Sequence, residues 1–479
     1  MSDLHANGLW SRKAVKTHKN PDWLHVGFVV DASLCSQCGA CSSMCPHHNI
    51  NITRDEHFRF YPSVIDETPC KTHCRSLCVE ICSGVHEDPS LWKRDPIVPK
   101  DYDDYCTGPI LETLVGYSTD HAIRTRGTSG GVVTGLLVYL LQAGIIDGAL
   151  VVGANSADPT RHNIFVARSR EEIESAWGSK YYPMPLGEQF RELISHDERF
   201  AVVLLGCHMR SLRLMERWMA PLRKAIVLRI GLICGYCSGF KATVDQAREW
   251  GVSDLAQIKR LDYRDGKWPG NVRIQTDTVD RETVIYNFLG RLLFTTNERC
   301  MVCSDMMNET ADITLGDAWL KDLTTKKDDG WSVVTVRTLA AQTFLNHARR
   351  DGALYLETAD TSRLIQSQDK PLRYKKYGLS TRRWFTRNIL GHHVPDHSGI
   401  SANPDRANVW NHVGNLLFLI TLSVFFKRDR LRRLMYRIIP QAFIGWYTRA
   451  IFLMIAHDGK ESFLWKWIFR RDPAMNCDA

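Results

Sequence analysis

Eight cysteines fall between Cys35 and Cys82, and their spacing points to chemistry. Cys35, Cys38, Cys41 and Cys45 form a C-x2-C-x2-C-x3-C run closed by Pro46. Two-residue gaps let one tight loop aim three thiolates at three irons of a cubane while backbone N–H groups point at its sulfurs. A fourth cysteine, sent away by a proline, serves a second cluster. Zinc sites instead separate their ligand pairs by a dozen or more residues. The run therefore reads as a 4Fe–4S site. Cys70, Cys74, Cys78 and Cys82 follow at intervals of four. On one continuous helix such thiols drift along a face rather than surround a cubane. A second cluster here needs a break in the helix or an exchange of ligands with the first run; otherwise only some of the four bind iron.

More thiols stand where apolar runs end. Ala201–Leu205 leads to Gly206-Cys207-His208, and Ala225–Ile233 leads to Cys234. Ligands collect at the carboxyl ends of strands in an open α/β sheet, which would bring these two thiols to one crevice. Cys300 and Cys303 add a C-x2-C pair, so Cys207, Cys234, Cys300 and Cys303 are candidate ligands of a further cluster. Buried free cysteines also serve as small hydrophobes, and spacing alone leaves both readings open. Cys237 is an extra thiol.

The elements that must position these groups alternate between strand and helix. Gly127-Thr128-Ser129-Gly130-Gly131 reads as a turn opening an apolar helix to Leu141, and Gly148–Gly153 as a buried strand. Glycines at a helix start let a phosphate approach free N–H groups; an unliganded tight turn reads equally well. Leu339–Leu356 reads as a helix followed by a strand. Val413–Phe426 is an apolar run of about 21 Å as a helix, short of the roughly 20 residues that a bilayer span needs. The basic stretch Lys427–Arg433 and a second apolar run, Ile438–Ala456, follow it. These read as paired helices lying on a membrane surface, docking on a partner, or packing on their own domains.

Composition bounds the function. The 479 residues are 44% hydrophobic and 24% charged, within globular averages. Residues 370–479 hold 19 Lys and Arg against 7 Asp and Glu, a net of +12, while the rest of the chain carries −4. The basic surface is thus C-terminal, and no general nucleic-acid face is expected. Met1–Lys16 has no apolar core of a secretory signal, so a cytoplasmic protein is expected, with peripheral contact at the inner membrane face as a further expectation. Fifteen cysteines in a reducing compartment read as metal or redox groups rather than disulfides.

Seven motifs in order carry a resemblance: Thr128–Thr134, Gly178-Ser179-Lys180-Tyr181, Gly206-Cys207, Ile230–Cys234, Tyr263–Gly270, Arg299–Cys303 and Ala311–Trp319. From about Val30 to Thr338 the chain resembles the beta-subunit family of coenzyme F420 hydrogenases and dehydrogenases, which includes similar ferredoxin-dependent reductases of chlorophyll-type tetrapyrroles. The resemblance implies FAD, two to three 4Fe–4S clusters, and electron transfer between the clusters and an organic acceptor, either coenzyme F420 or a conjugated ring. It implies that Thr128, Ser129, Gly130 and Gly131 form the flavin-phosphate turn, that Lys180 and Tyr181 stand near the flavin, and that Cys207, Cys234, Cys300 and Cys303 ligate an internal cluster. Gly206-Cys207-His208 lacks the proline common before that cysteine. Lys180 and His208 are the catalytic candidates, although His208 reads as well as a core histidine. A ferredoxin-like donor or partner redox subunit and a small organic acceptor are the implied partners.

The expected fold class is α/β: a ferredoxin-like iron–sulfur domain (1–100), an α/β flavin-binding core with an internal cluster (101–340), a mixed connecting region (341–403) and a basic helical appendage (404–479). The expected function is an iron–sulfur flavoprotein oxidoreductase. The competing expectation is a non-catalytic relay subunit that wires a partner enzyme to its donor.

Overall fold

The computed structural model describes residues 23–457 except 57, 73, 75, 88–103, 156, 188, 195–196, 325–328, 396–406, 424–427 and 440. The chain's start, on which the cytoplasmic expectation rests, lies outside the described residues, as do the end of the appendage and most of the connector after His86.

Long β-branched and apolar runs with no polar alternation form strands buried on both faces. Strands β3 (Glu112–Ser118), β4 (Gly148–Ala154), β5 (His162–Ala167), β6 (Phe200–Leu204), β7 (Ile226–Leu232), β11 (Ile313–Asp317), β12 (Ser332–Val336) and β13 (Leu354–Thr358) make one eight-stranded sheet. Its order is β13-β3-β12-β11-β7-β6-β4-β5. The middle strands β4, β6, β7 and β11 are parallel, and the pairings that flank them are antiparallel. Outside this sheet, β1 (Ile50–Arg54) and β2 (Phe60–Val64) form an N-terminal hairpin, and β8 (Arg260–Asp265), β9 (Asn271–Gln275) and β10 (Asp280–Val284) form a small meander. The fold is thus mixed α/β, with the cysteine-rich segment ahead of a large sheet. The helix Leu339–Arg350 and strand β13 are where their sequence patterns put them. β13 pairs with β3, so the sheet takes its edge from the segment read as a connecting region.

The topology fixes where chemistry can happen. Residues just past the carboxyl ends of β6, β7 and β11 include Cys207, Cys234 and Asp317 itself ends β11. The helix α1 (Val132–Gln142) starts beside β3 and β12, with Gly131 at φ +71° as its N-cap. The helix α2 (Gly206–Trp218) begins at Cys207's turn and is buried along nearly its whole length, including Arg210, Arg213 and Glu216. Arg213 pairs with Glu216 (3.2 Å) and Asp312 (2.8 Å), and Arg229 of β7 with the same two carboxylates (2.5 and 3.3 Å). This network pins α2 to the sheet and so fixes the direction of its first turn.

The cysteine-rich segment is built onto the sheet domain. Ala40 and Met44 pack with Leu186, Phe190, Met209 and Leu212, and the Leu186 N–H donates to the Cys38 carbonyl (2.8 Å). Glu87, whose side chain is wholly buried, accepts from Arg299 (2.6 Å) and Ser304 (3.0 Å) and pairs with Arg210 (3.2 Å). The appendage is also joined to the core. Phe418, Leu419, Ile451 and Ile455 share a buried cluster with Leu293 and Phe294, and Arg432 pairs with Asp245 in the interior (2.8 Å). The reading of these helices as packed on their own domains therefore holds for one of their faces.

Removing one member of a buried ion group leaves an uncompensated charge, which costs about 3–5 kcal/mol. Glu87→Ala is expected to destabilise the protein by that amount in anaerobic urea denaturation. Lys224→Ala, which breaks an exposed pair with Asp197, should change stability by less than about 0.5 kcal/mol.

Candidate functional site

The second cysteine group does not lie on one helix. The helix Thr68–Thr72 carries Cys70 and stops; Ser76 takes a left-handed conformation (φ +55°), and a new helix, Leu77–Glu80, carries Cys78. The break turns Cys82 away from the others and toward the first run. A cavity is lined by Cys35, Cys38, Cys41, Cys78 and Cys82. Cys45 in turn faces Cys70 and Cys78, and Cys74 stands beside both. Asn49 spans this second set, giving its backbone N–H to Cys45 Sγ (3.3 Å) and its side-chain amide to Cys70 Sγ (3.9 Å). Both conditions set by the spacing are met together: the helix breaks, and the two runs exchange their last cysteines.

The third set assembles at the strand ends. Cys207, Cys234, Cys300 and Cys303 face one another, and Cys237 joins them. The Cys237 N–H donates to Cys300 Sγ (3.4 Å), and Arg210 donates to Cys303 Sγ (3.4 Å). Cys38 of the first set also acts on Cys207, helping to push its thiol up. The first set thus neighbours both of the others, the second through Cys41 and Cys78 and the third through Cys38 and Cys207.

The donor chemistry fits iron–sulfur clusters. Burial pushes the Cys82 and Cys234 thiols up to about 12, and Cys35, Cys41 and Cys207 up as well, with neighbouring thiols adding to the effect. Thiolates at such positions need positive charge brought to them, which ligated iron supplies. Among the described residues, no three His, Cys, Asp or Glu side chains converge tightly enough for a single metal ion. A cubane does not ask for that, because each thiolate holds a different iron. Cys303 differs from the others: burial opposes its ionisation, but Lys375 and Arg210 prevail and hold it below the ordinary thiol range.

Beside the third set, past the carboxyl ends of the parallel strands where an open α/β sheet has its crevice, lies a hydrogen-bonded cluster organised by Arg264, at the carboxyl end of β8. Its guanidinium donates to both carboxylate oxygens of Asp317 (3.0 and 3.2 Å), to the Thr128 carbonyl (2.6 Å), to the Tyr181 hydroxyl (3.2 Å) and to the Pro269 carbonyl. The Trp268 indole N–H donates to Asp317 (2.9 Å), and its ring meets Trp319 at 4.7 Å. All seven sequence motifs meet here or at the thiols beside it, four around Arg264 and three at the cysteines. Arg264, Asp317, Trp268 and Trp319 were missed as site residues, although each stands inside a quoted motif. An arginine in a buried strand and an aspartate ending another were the available signals.

The expected flavin residues are brought to this crevice, but several side chains are already committed. The Ser129 hydroxyl donates to the Trp331 carbonyl (2.7 Å), and Thr128 Oγ1 accepts from Ser179 (3.1 Å). A Cβ on Gly130 would lie 2.5 Å from the Gly116 carbonyl oxygen and 2.8 Å from the Ser332 nitrogen. Backbone packing against β3 and β12 therefore demands glycine there, with or without a phosphate. What the turn leaves for a ligand is the N-terminus of α1, which no side chain caps. Lys180 Nζ donates among four carbonyls, Val152, Ala176, Trp177 and Gly178 (2.7–3.0 Å), and burial lowers its pKa to about 7. His208 is buried, its Nε2–H donates to the Met184 carbonyl (3.0 Å), and burial lowers its pKa to about 4. It is a neutral core histidine at pH 7, the second of its two sequence readings.

Comparison with known proteins gives the family. Residues 113–191 match the N-terminal part, and residues 197–362 the C-terminal part, of the family described as coenzyme F420 hydrogenase/dehydrogenase, beta subunit; residues 28–51 match a 4Fe–4S binding domain. The chain is 24% identical over 382 residues to an uncharacterized protein of Methanocaldococcus jannaschii, covering 76% of this chain and 97% of that one. It is 26% identical over 391 residues to the coenzyme F420-dependent sulfite reductase of the same organism, covering 79% of this chain but only 55% of the relative, and so spans about half of that enzyme. It is 27% identical to the coenzyme F420 hydrogenase subunit beta of Methanosarcina barkeri over 52% of this chain and 82% of the subunit. A chain from the F420-reducing [NiFe] hydrogenase complex of Methanosarcina barkeri superposes with a TM-score of 0.47 at 21% identity, over 62% of this chain and 99% of the other.

Exchange of the last cysteines makes a sharp expectation. If each set holds one cubane, the anaerobic protein carries about twelve iron and twelve sulfide. Cys45→Ser and Cys82→Ser should each remove about four of each, from different sets. Their electron paramagnetic resonance spectra should then lack different signals. Loss of the same signal in both variants would refute the pairing.

Proposed function

Because the chain belongs to the coenzyme F420 hydrogenase/dehydrogenase beta-subunit family, we propose that it is an iron–sulfur flavoprotein oxidoreductase. It would pass electrons from a ferredoxin-like donor or partner redox subunit to a two-electron organic acceptor, coenzyme F420 or a conjugated ring. The observation that carries this reading is the succession of three neighbouring cysteine sets, the third of which adjoins the Arg264–Asp317 cluster. Bound clusters would carry single electrons, and bound FAD would pair them for the acceptor.

In this reading the chain's own residues divide the work. Segment 1–100 receives electrons and core 101–340 holds the inner set and the flavin, with edge strand β13 contributed by 341–403. Cys35, Cys38, Cys41 and Cys82 hold one cluster, Cys45, Cys70, Cys74 and Cys78 a second, and Cys207, Cys234, Cys300 and Cys303 the third. The free N–H groups at the start of α1 receive a flavin phosphate, as helix N-termini do for anions. Arg264 positions the crevice by tying the Thr128 carbonyl, Tyr181 and Asp317 together. Trp268 and Trp319 form its apolar wall and exclude water. Lys180 supports the crevice through backbone carbonyls rather than touching a substrate.

Arg264→Ala is expected to lower flavin content at least tenfold after reconstitution with FAD, with iron and sulfide unchanged. The intact protein, reduced by dithionite, should reduce coenzyme F420 or a conjugated-ring acceptor. Full clusters and flavin with no turnover of any such acceptor would favour the relay subunit.

We further propose that the outward face of the appendage rests on an anionic membrane. No helix among the described residues is long and apolar enough to cross one. In α3 (Val409–Thr421), Val409, Val413, Leu416, Leu417 and Ile420 recur on one exposed stripe; Leu434 and Ile438 of α4 (Asp429–Ile438) and Trp446 of α5 (Gln441–Ile455) are exposed beside them. Arg428, Arg430, Arg433 and Arg437 are exposed on the same helical unit, while Arg432 is spent on Asp245. Each arginine near an anionic leaflet contributes roughly 1 kcal/mol. Because the opposite face packs on the core, truncation would damage the protein. The sharper test is Leu417→Glu with Ile438→Glu, which should cut sedimentation with phosphatidylglycerol vesicles at least tenfold and leave iron content unchanged. Equal sedimentation of both proteins would refute membrane contact.

A further inference from the structure

We infer that Lys375, on a helix beyond the matched family region, makes the inner cysteine set the most easily reduced of the three, with Arg210 as a second cation. The inference rests on the proposal that all three sets hold clusters.

Lys375 lies on the helix Asp369–Lys376, whereas the family match ends at residue 362. It is 1% exposed. Its ammonium lies 3.5 Å from the Cys300 carbonyl, and the negative groups it faces are Cys303, Cys300 and Cys234, with Tyr374 behind them. The adjacent Lys376 makes the contrast: it is also buried, but its charge is met by Glu309 at 2.6 Å. Lys375 is held in place from behind, where Arg382 donates to its carbonyl (3.1 Å) and lies over the Tyr374 ring at 4.4 Å. Arg210 adds a guanidinium nitrogen 3.4 Å from Cys303 Sγ, its charge shared with Glu87 (3.2 Å) and Asp305 (3.9 Å), so that Lys375 is the main cation of the set.

The other sets have less positive charge. The first has Arg299 beside Cys82, and Arg299 is paired with Glu87. The second has Glu67 and Lys71 beside Cys70, paired with each other at 2.9 Å so that their charges largely cancel, and a neutral amide, Asn49. A cubane gains one negative charge when it accepts one electron, with no bond made or broken. A fixed cation in a poorly screened interior therefore stabilises the reduced form, and net local charge is one of the main determinants of cluster potential. Lys375 and Arg210 act on the set nearest the crevice.

The test is a potentiometric titration of the full-length anaerobic protein followed by electron paramagnetic resonance, with iron and sulfide measured for every variant. The inner signal is the one that Cys303→Ser removes. In the unaltered protein it should be reduced at the highest potential of the three; finding it lowest overturns the inference without any change to Lys375. Lys375→Met should make the inner cluster at least tenfold harder to reduce, 59 mV more negative for one electron, and leave the other two signals in place. Lys375→Arg should restore most of the shift. Lys376→Met, a comparable injury to the same helix, should not reproduce it. A fully loaded Lys375→Met protein with an unmoved inner potential overturns the inference. Fewer than three clusters in the unaltered protein overturns instead the proposal beneath it.

Discussion

A single buried carboxylate holds the redox architecture together. Glu87 has no exposed side-chain surface, and it stands between Arg210 of the sheet domain and Arg299 of the C-x2-C loop. Arg299 also donates to the carbonyls of Ser83 and Gly84, next to Cys82, and Arg210 also donates to Cys303. The loop that completes the first cysteine set and the loop that completes the third are therefore fastened to the same carboxylate. Two guanidiniums in the interior are tolerable because Glu87, with Asp305 beside Arg210, balances them, and Glu87 because they and Ser304 meet its carboxylate. The relative position of the two sets is in this way a matter of charge balance as well as packing.

Given that clamp, the break after Thr72 acquires its meaning. A continuous helix would have kept Cys70, Cys74, Cys78 and Cys82 in one drifting row. The left-handed turn at Ser76 ends the row, leaves Cys78 between the two N-terminal sets, and delivers Cys82 to the loop that Arg299 holds. Neither N-terminal set can form from one stretch of chain. Iron binding at either would therefore tie residues 35–45 to residues 70–82, and so couple metal content to the folding of the whole segment.

How far the sequence could be read depended on how local each signal was. The cysteine runs, the strands ending at Leu204 and Leu232, and the helix opening at Val132 follow from spacing and apolar continuity, and all are found. The crevice was harder, because Arg264 and Asp317 lie 53 residues apart on different sheets and become partners only when β8 and β11 are brought together. Gly130 is ambiguous for a related reason. A glycine-rich turn looks the same whether a phosphate or a neighbouring strand demands the missing side chain, and here the carbonyl of Gly116 already does so. The buried network of Arg213, Glu216, Arg229 and Asp312 was equally invisible, since charged residues in a helix pattern read as a solvated face until the sheet covers them.

The appendage joins the two ends of the functional proposal. Asn411 and Asn415 of α3 are buried, and Asn415 accepts from Arg382, which in turn holds the Lys375 carbonyl. One side of this helical unit thus supports the ammonium that faces the inner thiols, while the other side presents the exposed apolar stripe and its arginines. The connection is short and made of buried, hydrogen-bonded groups, so it is stiff rather than flexible. Whatever covers the outer face bears on the same helices that set the position of Lys375. A helical unit of this kind, lying past the matched family region, couples an exposed apolar face to the surroundings of the inner thiols without any change to the cysteines themselves.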